Sequence, residues 1–251
     1  MPSLLDDLGH PVELDRPPRR IVSLVPSLTE SVADTGLVVG ATDWCTHPAD
    51  LDVTRVRGTK NPDVKAIAGL APDLVLANKE ENRELDVRRL REAGLQVWVT
   101  DIETVPQALA SLERIFAEVL EHEVPGWLAD AGELWSGPVP APEATVAIPI
   151  WRDPWMVVGS RTFTGDLVAR LGLRNAFDGH PDRYPHVELS DVDREGVDLV
   201  LLPDEPYAFT ADDGPEAFER VPTALVSGRL LTWYGPSLVE ARRRLPAILA
   251  R

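Results

Sequence analysis

Cysteine is almost absent. Cys45 is the single one in 251 residues, so no disulfide can form within the chain and no paired-cysteine zinc site exists. Lysine is nearly as scarce, occurring only at Lys60, Lys65 and Lys79; arginine supplies the rest of the positive charge, a bias of composition and not a functional signal. Positive charge is itself outweighed, with Lys+Arg 25 against Asp+Glu 41 and a formal net charge of -16. Such a chain repels a nucleic-acid backbone and an anionic membrane surface, which argues against both as partners. No apolar run approaches the ~20 residues of a membrane-spanning helix. Enzyme signatures are missing too: there is no GxSxG elbow, Walker A loop, HExxH or GxGxxG. The opening MPSLLDDLGHPVEL lacks a basic n-region and an apolar h-region, with Asp6 and Asp7 where an export signal would be apolar. As it stands, that stretch predicts a cytoplasmic chain.

What is there reads as a folded α/β protein. IVSLV at 21–25 is a β-branched run expected to be a buried strand. Ser27 with Glu30 three residues on has capping-box spacing and predicts a helix from Leu28 to about Gly36. Strands are expected at 38–44, 74–77 and 97–100, with helices at 63–70 and 82–93. That alternation predicts a mostly parallel sheet covered by helices on both faces. Thr104 then caps a long helix with Pro106 in its first turn. Val105, Leu109, Leu112, Phe116 and Val119 form its apolar face. Pro125-Gly126 interrupts it before a second helical piece that runs to Trp135. SGPVPAP at 136–142 is the best boundary in the chain. Beyond it, strands are expected at 145–150, 156–158 and 199–202, a helix at 164–171, and a terminal helix at 236–250 that Pro246 kinks or shortens.

A weak internal repeat organises these pieces. DLVLANKEE at 73–81 resembles DLVLLPDEP at 198–206, and TESVADTGLVVGAT at 29–42 more loosely resembles TGDLVARLGLRNAF at 164–177. DLVL alone is a modest signal, because buried parallel strands often read this way. The matched order of both pairs, on either side of the 136–142 break, predicts two similar α/β lobes.

Ligands of open parallel sheets sit beyond the carboxyl ends of the strands. The loops there carry Trp44, Trp151, Trp155 and Trp233, four of the seven tryptophans. Two lobes offering aromatic faces and scattered charges suit a large, flat, partly polar ligand. Each feature also has a bland reading. A tryptophan after a strand often plugs the end of its own sheet. Glu80, Glu81 and Glu84 are also the acidic first turn of a helix. Cys45 and His47 are most simply loop residues, with no paired base or ligand set placed beside them.

The stretches RRIVSLVPSLTESVADTGL, VGATDWCTHP, APDLVLANKEEN and EAGLQVWVTD, with VGSRTFTGDLVARLGLRNAF, GVDLVLLPDEPYAF and LLTWYGPSLVEA in the second half, resemble class III periplasmic substrate-binding proteins, the cobalamin-binding type above all. The resemblance covers roughly residues 19–249 and is stronger in the first half. It implies two Rossmann-like α/β lobes, residues 1–103 and 138–251, joined by a long connecting helix over 104–137, with the ligand cleft between the lobes. It implies a non-enzymatic monomer that binds a metal chelate, either cobalamin or another corrinoid, a ferric siderophore or haem, and feeds it to the permease of an ABC importer. That role places the protein outside the cytoplasm, at the membrane, against the cytoplasmic reading of the N-terminus. The alternative is a cytoplasmic enzyme or carrier of the same fold acting on a metal chelate. Matched to the family's cleft loops are Pro26, Ser27, Trp44 and Lys79 in the first lobe and Trp151, Arg152, Phe163, Glu205 and Tyr207 in the second. Glu84, and less securely Glu216, match the carboxylates that dock on importer arginines. No cofactor is implied, and no side chain is expected as an obligatory metal ligand, since the metal arrives chelated. The sequence leaves the identity of the chelate open.

Overall fold

The computed structural model describes residues 4–249. Two compact units are present. One comprises the chain up to Ile102, Gln107–Leu128 and Tyr234–Pro236; the other comprises Glu103–Pro106, Ala129–Trp233 and the chain from Ser237 onward.

The first unit opens on a small hairpin, β1 (Leu4–Leu5) and β2 (Pro11–Val12). Its main sheet contains β3 (Ile21–Ser23), β4 (Val38–Ala41), β5 (Thr54–Arg55), β8 (Leu74–Asn78) and β9 (Val97–Thr100). The order is β5-β4-β3-β8-β9 and every pair is parallel. Between β5 and β8 a second hairpin, β6 (Arg57–Gly58) with β7 (Asn61–Pro62), lies off the sheet. The helices α1 (Pro26–Val32), α2 (Val64–Gly69) and α3 (Glu84–Glu92) supply the crossovers. Being covered on both faces, β8 is buried at all five positions, which is why LVLAN reads as an unbroken apolar run. Val22, Leu24, Val75, Ala77, Val97 and Val99 pack with Ile67 and Leu90 in one core cluster.

The helix predicted from Leu28 starts earlier. Pro26 occupies its first turn, and the N-cap is Val25, with no side-chain cap bond. The proline's fixed φ suits that position, and it moves Ser27 inside the helix, where it is buried. The Ser27–Glu30 capping box is therefore not formed.

The long helix expected over 104–137 is two helices. The first, α4, spans Val105–Arg114 and continues as a π-helical turn over Ile115–Val119. The second, α5, spans Gly126–Trp135. Glu121 between them has a φ of 47°, and Pro125 has no N–H to continue a ladder. Val105, Leu112, Phe116 and Val119 are buried, as their spacing predicts. At the start of α4 the Val105 N–H donates to the Asp166 Oδ2 at 2.8 Å.

The second unit's sheet holds β10 (Ala144–Ala147), β13 (Leu173–Asn175), β14 (Leu199–Pro203) and β15 (Thr223–Val226) in the order β13-β10-β14-β15, again all parallel. A hairpin of β11 (Pro149–Trp151) and β12 (Met156–Val157) extends from the carboxyl end of β10. Helices α6 (Phe163–Arg170), α7 (Leu189–Val192), α8 (Gly228–Thr232) and α9 (Ser237–Leu249) follow in chain order. Pro246 does not shorten α9, which runs through it to Leu249.

The repeated aspartates do the same work in each unit. The Asp73 carboxylate accepts the Arg19 and Arg20 N–H groups at 2.8 and 3.0 Å, and its own N–H donates to the Arg20 carbonyl. The Asp198 carboxylate accepts the Thr145 N–H at 2.7 Å, and its N–H donates to the Thr145 carbonyl. Each aspartate locks the start of the DLVL strand to the start of its neighbour. The DLVL strands lie in separate sheets, as the repeat predicts.

Candidate functional site

Each sheet has a switch point, where the chain leaves one side of its first strand and returns on the other: β3 beside β8, and β10 beside β14. This is where open α/β sheets hold ligands.

In the first unit the chain itself fills that position. The Asn82 side chain donates to the Thr59 carbonyl at 2.9 Å and accepts the Asn78 N–H at 2.9 Å. The Asn78 side chain reaches across to Thr100. Tyr234 is buried with its phenol beside the Ser27 and Thr100 hydroxyls. Burial raises its pKa, and the negative charge of Glu81 adds to the rise. Burial likewise pushes the Glu81 carboxyl up. Gly235 packs against α1 so closely that a Cβ there would sit 2.5 Å from the Ser31 Oγ. Ser27 thus faces protein, and Pro26 is half-buried.

The exposed groups of this unit lie on the rim. Trp44 is 65% exposed in the loop after β4. Lys79, just past β8, is bonded to Asp101 at 2.7 Å. Glu84 lies exposed in the first turn of α3.

In the second unit the switch point carries a side-chain network. Trp151, 46% exposed at the end of β11, meets Tyr207 edge to face at 5.6 Å. Tyr207 packs on Phe209 at 4.7 Å, and Phe209 stacks on Trp155 at 6.0 Å. The Arg152 guanidinium lies over the Trp155 ring, 5.3 Å from its centroid. Its Nη1 bonds to Asp213 and, at 2.7 Å, to Glu216. Asp213 also accepts the Tyr207 hydroxyl at 2.7 Å. Titration follows these bonds. Pairing with Glu216 foremost raises Arg152, and Arg152 in turn lowers Glu216. The Asp213 hydrogen bond raises the Tyr207 phenol. Gly214 makes the turn possible, with a φ of 125° and a virtual Cβ only 2.6 Å from the Phe209 ring. Glu205, in the loop after β14, is half-buried against the start of α8, where a Cβ on Gly228 would overlap it. Phe163 is buried at the start of α6.

The structure thus brings Trp151, Arg152, Tyr207 and Glu216 into one network and keeps Phe163 in the interior. It divides the four post-strand tryptophans: Trp44 and Trp151 are exposed, whereas Trp155 and Trp233 are buried. Asp213, which joins Arg152 to Tyr207, was not singled out from sequence; ADDGPE at 211–216 reads only as a polar turn. Among the described residues there is no group of three or more His, Cys, Asp or Glu that could hold a metal ion, and no helix long and apolar enough to cross a membrane.

No family model matches the chain. It is 29% identical, over 97% of its length and 84% of the relative's, to an uncharacterized ABC transporter substrate-binding lipoprotein of Bacillus subtilis. It is 23% identical to the vitamin B12-binding protein of Pectobacterium carotovorum, over 91% of this chain and 87% of that protein. Among solved structures, the periplasmic vitamin B12-binding protein of Vibrio cholerae superposes with a TM-score of 0.75 at 16% identity, covering 93% of this chain and 97% of that one. Other structural neighbours are periplasmic haem-binding proteins. The homologues and neighbours are therefore class III periplasmic binding proteins, as the sequence resemblance implies. The α/β fold of this chain with its parallel sheets is theirs. They are binding proteins of transport systems and not enzymes, and they lend no support to the cytoplasmic-enzyme alternative.

Proposed function

We propose that this protein is the substrate-binding component of an ABC importer and takes up a flat metal chelate, with a corrinoid favoured over haem or a ferric siderophore. The observation that carries the reading is the pair of exposed indoles, Trp44 in the loop after β4 and Trp151 at the end of β11. Covering roughly 100 Å² of such a ring stabilises a complex by about 2.5 kcal/mol. The Tyr207 ring at its edge holds Trp151 in place before any ligand arrives, which reduces the ordering cost of binding.

Charge favours the corrinoid. Lys79 is already paired with Asp101, and Arg152 with Asp213 and Glu216. A polyanionic chelate would have to compete with those carboxylates, whereas a corrinoid of low net charge would not. In this reading Lys79, Arg152, Glu205 and Tyr207 give edge contacts, and Pro26 lends a small apolar surface. Ser27 and Phe163 are buried and lie behind this surface. Glu84 is the carboxylate offered to importer arginines, and Glu216, tied to Arg152, belongs to the ligand rim. The protein supplies no obligatory ligand to the metal.

The test is a thermal-shift and calorimetric screen with cyanocobalamin, cobinamide, haemin and a ferric tris-catecholate. A ligand that binds only the folded state raises the midpoint by mass action. The corrinoids are expected to bind. Trp44→Ala and Trp151→Ala should each weaken the interaction by about tenfold or more, the loss of one covered ring. Unchanged affinity in both variants would mean that the ligand lies elsewhere.

A further inference from the structure

An exposed tryptophan binds well only if its loop is held still, and the loop that carries Trp44 has an anchor outside the residues assigned above. Arg55, on the edge strand β5, turns its guanidinium back under that loop. Its Nη1 donates to the Thr42 carbonyl at 3.0 Å and to the Cys45 carbonyl at 2.8 Å, and its Nη2 reaches the Leu51 carbonyl at 3.3 Å. Three carbonyls, spread over ten residues, thus converge on one planar fork. Two of them bracket Trp44 directly. Cys45 is buried next to it, its sulfur 3.0 Å from the Thr29 hydroxyl and 3.1 Å from that of Thr42. The Asp43 N–H donates to the Arg57 carbonyl at 2.9 Å.

The ring also has a floor. A Cβ added to Gly58 would stand 3.3 Å from the Trp44 Nε1 and 2.5 Å from the Asn61 Oδ1. The indole Nε1 therefore lies close over Gly58, where an added methyl would press on both Trp44 and Asn61.

We infer that Arg55 and Gly58 are positioning residues of the ligand site. Arg55 fixes the backbone on both sides of Trp44, and Gly58 sets the height at which the indole is presented. The inference rests on Trp44 being a ligand contact. Lysine cannot replace Arg55, because a single ammonium cannot span carbonyls presented to a planar fork.

The test is a double-mutant cycle on cyanocobalamin affinity, combined with hydrogen exchange on the ligand-free protein. Arg55→Met is expected to weaken binding by about fivefold, Arg55→Lys by about threefold and Gly58→Ala by a similar factor, each a part of the loss in Trp44→Ala. In a Trp44→Ala background the Arg55 and Gly58 substitutions should cost nothing further, since they act only through that ring. A cost that persists in that background would mean general destabilisation and overturns the inference. If Trp44→Ala itself leaves affinity unchanged, the binding reading fails. If Trp44→Ala weakens binding and Arg55→Met does not, the positioning role alone fails. Exchange decides the clamp without any ligand: Arg55→Met, and Arg55→Lys should Met fold poorly, is expected to speed exchange of the amides at 43–51 and leave those of β3 and β8 protected. Unchanged exchange at 43–51 overturns the inference whatever binds.

Discussion

The two units share a scaffold and differ in how they hold their rims. Both have a parallel sheet with a buried DLVL strand, and both start that strand with an aspartate that receives a neighbouring N–H. At the carboxyl ends they diverge. The first unit fills its switch point with Asn82 and Tyr234 and offers one indole on a loop clamped through backbone carbonyls. The second builds a side-chain network in which one carboxylate, Asp213, joins an arginine to a tyrosine. Backbone clamps fix where a ring sits but add little chemistry of their own. Side-chain networks bring charge and hydrogen-bonding capacity, at the cost of depending on every member.

That contrast can be broken most sharply at Asp213. Asp213→Ala removes one partner from Arg152 and the acceptor from Tyr207. Both bonds are charge-assisted but partly exposed, so the expected loss is about 2 kcal/mol in urea unfolding. Chelate affinity should fall with it as Trp151 loses its fixed neighbour. Full retention of both stability and affinity would show the network to be incidental.

The shared scaffold gives a smaller effect. Asp73→Ala breaks two backbone bonds and a contact with Arg16, whereas Asp198→Ala breaks one backbone bond among those described. The expected costs are about 2 and about 1 kcal/mol. Asp73 also sets an acid limb. The Arg19 N–H foremost, with Arg16 and Arg20, holds its carboxyl below the usual range. Its contribution is therefore complete above the ordinary aspartate pKa of about 3.9 and is lost as pH falls through the lower folded value. Stability profiles of wild type and Asp73→Ala should converge in that acid window. Parallel profiles down to the lowest pH would exclude this source.

Smallest is Tyr234→Phe, which keeps the packing and removes the phenol from beside Ser27 and Thr100. The expected change is about 1 kcal/mol or less near neutrality. Because burial raises the phenol above its ordinary value, its contribution is intact below about pH 10 and declines as the pH climbs beyond it. The phenylalanine variant should tolerate alkali better than the wild type in circular-dichroism titrations.

Much of this fold was legible because buried parallel strands write themselves as apolar runs. IVS, LVLA, VWVT and LVLL were all placed where they lie. The short strands Thr54–Arg55, Leu173–Asn175 and Thr223–Val226 were missed as elements. Two to four residues at or next to a sheet edge carry too little periodicity to be told from loop. The site was legible only in outline. Trp151, Arg152 and Tyr207 are legible, but the link from Arg152 to Tyr207 passes through Asp213, an aspartate in a turn with nothing local to mark it. Ser27 misled through its spacing to Glu30, a local rule overridden by Pro26 one residue earlier. Trp155 and Trp233 misled because residue type announces neither exposure nor burial.

The excursion of Tyr234–Pro236 into the first unit has a consequence for how the chain is made. The groups that Tyr234 and Gly235 meet, Ser27, Ser31 and Thr100, emerge from the ribosome more than a hundred residues earlier. The first unit cannot complete its packing until residues 234–236 have been synthesised, although its own sheet ends at Thr100. Sequential folding of one unit and then the other is thereby denied its last step. A fragment that stops after β9 keeps all five strands and lacks the residues that close their carboxyl end, so the final consolidation of the first unit waits on a segment made long after its sheet.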